Sequence, residues 1–160
     1  MEEQPFRDLM AHVPAPVTVI TTNDADGPHG TTVSAFASLS LHPKLVMASL
    51  GNESRILQRI RATRRLGINL LAEGQGEIAL RFARDEALRF VPNDWHLENN
   101  LPKLDYTAAW IEATLAYELP AGDHTILACE VHSAELYGPL ALVYSNRVFG
   151  ANSGALSTSA

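Results

Sequence analysis

Cysteine is almost absent from this chain: Cys129 is the only one in 160 residues. No intrachain disulfide can form, and one cysteine cannot build a thiolate metal site or a CxxC redox pair. Other signatures are missing too. The sequence holds no GxGxxG, no GxxxxGKS or GxxxxGKT, no HExxH and no GxSxG. A Rossmann dinucleotide site, a P-loop, a zincin and a serine-hydrolase elbow therefore lack their usual signs, and no metal site is expected. No apolar stretch approaches the roughly 20 residues that span a bilayer. The N-terminus, MEEQPFRDLM, is acidic where a signal peptide requires positive charge. Positive charge is also scarce, with 12 Lys and Arg against 18 Asp and Glu and a formal charge of −6. That balance disfavours nucleic acid or an anionic membrane as partner. The expectation is a soluble cytoplasmic protein.

What is present reads as one domain over residues 1–160, with its core at about 10–150 and a flexible tail, ANSGALSTSA, at 151–160. A short helix around Pro5 to Met10 precedes PAPVTVITT, a β-branched strand bounded by prolines. NDADGP is a hairpin connection, and LVMASL a second apolar strand. Asn52 and Ser54 stand where they would cap a helix that turns Ile56, Leu57 and Ile60 inward. LGINLLA predicts a strand and QGEIALRFAR a helix with Ile78, Leu80 and Phe82 inward. Asp85 to Lys103 reads as a loop that folds over something, and strands return over Leu104 to Tyr117, Thr125 to Tyr137 and Leu140 to Phe149. Short, closely spaced strands with few helices predict a mainly β chain, a small barrel and not a doubly wound sheet.

The stretch GPHGTTVSAFASLSLHPKLV carries hydroxyls where strands usually carry Val or Ile. In a straight strand Thr32, Ser34, Phe36, Ser38 and Ser40 share one face. Two readings stand: a solvent-facing strand, or a wall of small donors for the carbonyls and ring nitrogens of an isoalloxazine. GNESR follows LVMASL, so a helix N-terminus with Arg55 beside it is either an ordinary cap or an anion site. In GDHTILACEVHSAEL, alternation puts Thr125, Leu127, Cys129 and Val131 on the apolar face and His124, Glu130 and His132 opposite. Glu130 with His132 is a solvated pair. Cys129 is a buried thiol, and His124 is either a turn residue or a ligand contact.

Taken in order, PAPVTVITT, HGTTVSAFASLSLHPKLV, GNESRILQRI, LGINLLA, DHTILACEV and GPLALVYSNRVFG resemble the flavin reductase family, from about Met10 to Gly150. The resemblance implies a homodimeric FMN-binding split β-barrel of Greek-key type with six strands. It implies an NAD(P)H:flavin oxidoreductase that transfers a hydride from NADH or NADPH to FAD or FMN. The reduced flavin would supply a partner monooxygenase. Alternatives are a non-catalytic flavin-binding module and an oxidase of the pyridoxamine-phosphate type, which would need a cluster of Arg and Lys.

By the same resemblance, Thr31, Thr32, Ser34, Ala35, Phe36, Ser38 and Ser40 would surround the isoalloxazine and ribityl chain. Ser49, Asn52, Ser54 and Arg55 would meet the ribityl and phosphate end. Phe82 and the loop from Arg84 to Phe90, with Arg89, would close over the flavin. His124, Tyr144, Asn146 and Arg147 would meet the nicotinamide nucleotide. The chain departs from the family pattern at Pro43-Lys44, where two prolines are usual, and at SNRVFG, where a Gly-Arg-Tyr-like turn is usual.

Overall fold

The computed structural model describes residues 1–84 and 86–151; of the tail expected at 151–160, Ala151 ends a strand and the rest lies outside the described residues. Helix α1 (Glu3–Ala11) leads into β1 (Ala15–Pro16), β2 (Thr18–Asp24), β3 (Gly27–Val33), β4 (Phe36–Leu41) and β5 (Lys44–Gly51). Next come α2 (Arg55–Thr63), β6 (Arg65–Leu70) and α3 (Gly76–Arg84), then a 3-10 turn at Glu86–Leu88. The strands β7 (Trp95–Glu98), β8 (Leu101–Leu104), β9 (Ala109–Ala121), β10 (His124–Leu136), β11 (Leu142–Ser145) and β12 (Val148–Ala151) complete the chain.

The main sheet has the antiparallel order β3-β2-β6-β9-β10-β5-β4. β3 at one end approaches β5, the last strand but one at the other, and just beyond β3 the Ala35 carbonyl accepts the Ser49 N–H of β5 at 2.9 Å. Six strands thus curl into a barrel with a seam, while β4 pairs only with β5 as an outer edge. Fully buried residues of β2 alternate between two cores, as a strand's period of two requires. Ile20 joins Leu57, Ile60, Leu66, Ile68 and Leu127 inside the barrel, beneath α2. Val17 and Val19 face a second core with Phe82, Leu71 and Leu142 beneath α3.

Burial on both faces leaves polar residues of β2 and β6 needing partners. The Thr18 hydroxyl donates to the Val33 carbonyl at 2.7 Å, and the Thr21 hydroxyl to that of Pro102 at 2.6 Å. The Asn69 amide donates to the Val19 carbonyl at 3.1 Å and accepts the Leu104 N–H at 2.7 Å. That one side chain ties β6 to β2 and β8. Cys129 is buried, as expected, and burial pushes its thiol up to about 12.

The structure corrects the sequence reading in four places. The supposed loop ends in a hairpin, β7–β8, turned by Asn99 and Asn100 at φ 49° and 63°. The run from Leu140 to Phe149 is also a hairpin, turned by Asn146 and Arg147 at φ 51° and 62°. Positive φ at both central residues is the tight-hairpin geometry that Asn tolerates best. In α3 the buried residues are Ala79 and Phe82, three apart, while Ile78 and Leu80 are half-buried. Ser54 occupies the N-cap of α2, yet neither it nor Asn52 makes a capping side-chain bond there.

At the β2–β3 turn, Arg59 of α2 clamps both Asp24 and Asp26, at 2.6 and 2.8 Å. The Arg59 hydrogen bond lowers the Asp24 carboxyl from the ordinary 3.8 to about 2. A pKa depressed on folding stabilises above the unfolded value and loses that contribution as pH falls towards the folded one. The stability gap between wild type and Asp24→Asn should therefore be complete above pH about 4 and close as pH approaches about 2. Thermal melts of both proteins across that range test this; a gap independent of pH would sink it.

No helix among the described residues is long and apolar enough to cross a membrane.

Candidate functional site

The seam brings β3, β5 and the start of β10 together, and a recess of about 240 Å³ opens there. Thr31, Thr32, Ser34 and Ala35 line one side, Ser49 and Gly51 of β5 the floor, and Ser54 and His124 the far end. A second recess of about 230 Å³ adjoins it through Thr32 and Ser34 and continues to Ala79 and Leu80 of α3, Tyr144 and Phe149. Each alone is smaller than the roughly 300 Å³ of ordinary ligand sites. Joined, they make a trough along the barrel wall.

The chain direction explains which expected residues meet. The hydroxyl-rich stretch is not one straight strand, because β3 ends at Val33 and β4 starts at Phe36. The break at Ser34 and Ala35 leaves Thr32 and Ser34 in the trough and carries Ser38 and Ser40 away to the outer edge, with a bulge between them. Phe36 packs against the barrel core instead.

Four further expected flavin residues are engaged elsewhere. Phe82 has no exposed surface; it stacks edge-on with Phe90 at 5.1 Å and supports Gly30 of β3 from below. The Arg89 guanidinium donates to the Gly30 carbonyl at 2.8 Å, which pins its loop onto β3. Arg55 is exposed and pairs with Glu86 at 2.7 Å. Asn52 is spent on the β9–β10 turn and does not line the trough.

Of the expected nucleotide residues, His124 lies in the first recess and Tyr144 in the second. Asn146 and Arg147 sit on the β11–β12 turn, where Arg147 pairs with Asp8 of α1 and the Asn146 N–H donates to the Ala11 carbonyl. Sequence reasoning missed the trough's apolar wall of Val17, Ala79, Leu80 and Ala83. Nothing in a helix-period pattern separates a residue facing a ligand from one facing core.

The trough is poor in charge. His124 is the only ionisable side chain of the first recess among the described residues. Its Nδ1 is 2.9 Å from an Asp123 carboxylate oxygen, and this hydrogen bond holds the Asp123 carboxyl below its ordinary 3.8. The same bond assigns the Nδ1 proton, so the neutral ring presents Nε2 as an acceptor and the charged ring presents a donor. The Thr32 hydroxyl donates to the Ala79 carbonyl at 2.6 Å, which locks α3 against β3. The hydroxyls of Ser34, Ser49 and Ser54 make no side-chain hydrogen bond among the described residues, and the N-terminus of α2 follows directly after Ser54. Free hydroxyl donors, a small-residue floor and a helix N-terminus fit a flat ring with carbonyl edges and a phosphorylated tail, which is the chemistry of a flavin. No group of three or more His, Cys, Asp or Glu suited to a metal occurs among the described residues.

Fold and trough together define a mainly β protein of the split-barrel type with a side-on, weakly charged cleft. The flavin reductase like domain model matches residues 10–153, and the chain belongs to that family. NADH:FMN oxidoreductase of Rhodococcus erythropolis is 36% identical over 135 residues, covering 81% of this chain and 70% of that protein. A flavin-dependent monooxygenase reductase subunit, HsaB of Mycobacterium tuberculosis, is 34% identical over 134 residues, covering 83% and 72%. Among solved structures, the Streptomyces globisporus NADH:FAD oxidoreductase SgcE6 in complex with NAD and FAD fragments superposes with a TM-score of 0.88. It is 28% identical and the match covers 94% of this chain and 93% of that one.

Proposed function

We propose that the trough binds FAD or FMN along the seam, with NADH or NADPH entering beside His124, and that the chain works as an NAD(P)H:flavin oxidoreductase. The observation that carries this is the meeting of Thr32, Ser34, Ser49, Ser54 and His124 in one recess that, among the described residues, no carboxylate, lysine or arginine lines. When bound, the flavin supplies a hydride acceptor at N5 for the nicotinamide C4, so no acid or base from the protein is required. The chain's own residues bind and orient. Thr31, Thr32 and Ser34 meet the ring edge, Ser49 and Ser54 with the α2 N-terminus meet the ribityl and phosphate end, and His124 and Tyr144 meet the nucleotide. Holding two reactants face to face is the main catalytic lever. An oxidase of the pyridoxamine-phosphate type is disfavoured, because no cluster of Arg and Lys lines the trough among the described residues.

The reduced flavin leaves for a separate monooxygenase in the cytoplasm, a reading supported by the reductase-subunit relative. A second copy of the chain covers the open side of the trough. Support for this comes from α1, which buries none of its residues and exposes Phe6, Leu9 and Met10, and from Leu39 and Leu41 on the β4 edge. Steady-state oxidation of NADH and NADPH with each flavin, on protein whose mass in solution is read by sedimentation, tests both parts. Flavin-dependent oxidation by a dimer is expected. No oxidation with either flavin rejects the activity, monomer alone at micromolar concentration rejects the dimer, and full flavin retention through dialysis rejects a diffusible product.

A further inference from the structure

Asn52 lies just before α2, at the phosphate end of the trough, yet it turns away from it. Three hydrogen bonds join it to the β9–β10 turn. Its backbone N–H donates to the Asp123 carbonyl at 2.9 Å, its side-chain amide donates to the Gly122 carbonyl at 3.1 Å, and its amide oxygen accepts the Thr125 hydroxyl at 2.8 Å. These partners bracket His124 on both sides. The turn itself is two residues long, Gly122 and Asp123, with Gly122 at φ 65° and Ala121 paired to His124. Gly122, Asp123 and His124 are all exposed, so few packing contacts hold this tip. The ladder partner of His124 on the other side is Gly51, which has no side chain to steer it.

We infer that Asn52 is a positioning residue for His124, and through it for the nicotinamide nucleotide, and that it is not a flavin contact. The amide oxygen is held by Thr125 and one of the two amide N–H groups by the Gly122 carbonyl, which ties the side chain to the turn and keeps it out of the trough lining. Thr125, 5% exposed, has its hydroxyl committed to the same amide and serves as the second half of the clamp. A hydrogen-bonded clamp of this kind fixes a ring that would otherwise sample several rotamers at an exposed turn. The inference rests on the reading of His124 as a nucleotide contact.

The test combines Asn52→Ala, His124→Ala, the double variant and Thr125→Ser against Thr125→Val, with NADH KM, kcat and the flavin Kd measured separately. Asn52→Ala is expected to raise the NADH KM about three- to tenfold, the scale of one or two lost hydrogen bonds. Its kcat and flavin Kd should stay within about twofold. In the His124→Ala background the same change should add less than about twofold, because a clamp with nothing to hold has no effect. Thr125→Val should repeat the KM rise, and Thr125→Ser, which keeps the hydroxyl, should leave KM near its wild-type value. Amide exchange should quicken at residues 122–125 in Asn52→Ala while the barrel strands stay protected. If Asn52→Ala weakens flavin binding and leaves NADH KM unchanged, Asn52 belongs to the flavin site and the inference falls alone. Additive effects with His124→Ala overturn it too. If His124→Ala itself leaves NADH KM unchanged, the nucleotide reading and the inference fall together.

Discussion

Replacing His124 by alanine is expected to raise the NADH KM roughly tenfold or more while the flavin Kd stays near its wild-type value. The side chain stands at the far end of the recess, about half exposed, across β5 from Ser49 and Gly51. The Asp123 carboxylate fixes one ring nitrogen and leaves Nε2 to meet the nucleotide. A neutral ring accepts from the nicotinamide amide; a charged ring donates to phosphate. Either contact contributes about 1–3 kcal/mol to transition-state binding without moving a proton in the hydride step. Loss of flavin affinity with an unchanged NADH KM would place His124 in the flavin site. No change in either would leave it a turn residue.

Trp110→Ala should cost about 3–5 kcal/mol of folding free energy, the range for emptying a large aromatic site. Trp110 is 1% exposed on β9, opposite Asn69 of β6, and its ring lies against the backbone of Gly67. A Cβ at Gly67 would stand 2.1 Å from the Trp110 ring, so the strand carries glycine to make room for it. Lys103 lies 5.8 Å from the same ring, adding a cation–π contact that alanine also removes. The cavity has rigid walls on two strands and little freedom to collapse. For a chain of this length the loss corresponds to a melting temperature lower by roughly 6–20 °C. Urea midpoints read the same quantity, and a shift worth under about 1 kcal/mol would show that the surrounding strands close the gap.

How much of this was legible in the sequence depended on which physical signal each residue carried. The β-branched run at β2 announced a buried strand, and the helical spacing of Ile56, Leu57 and Ile60 announced the face that α2 seals into the barrel. The two Asn-containing turns were legible in principle. Asn99-Asn100 and Asn146-Arg147 each place two residues at positive φ, but the first hid in a segment rich in prolines and asparagines that reads as loop. The hydroxyl stretch was half legible. Its composition pointed to donors, while the break at Ser34 and Ala35, which decides that Thr32 and Ser34 enter the trough and Ser38 and Ser40 do not, has no glycine or proline to mark it. The resemblance to the flavin reductase family placed Phe82, Arg89 and Asn52 near the flavin. The structure instead uses them beneath and beside the site, through contacts with residues 52, 59 and 70 positions away in the chain, respectively.

The solitary thiol has a practical side. Because Cys129 is sealed in the barrel core and its proton is held to about pH 12, maleimide and iodoacetamide dyes have no reactive target in the folded chain. A cysteine introduced at Ser38, exposed on the β4 edge outside the trough, would then be the one labelled position. A fluorophore there could follow cofactor arrival and departure by energy transfer, in real time and without removing any native residue from the cleft.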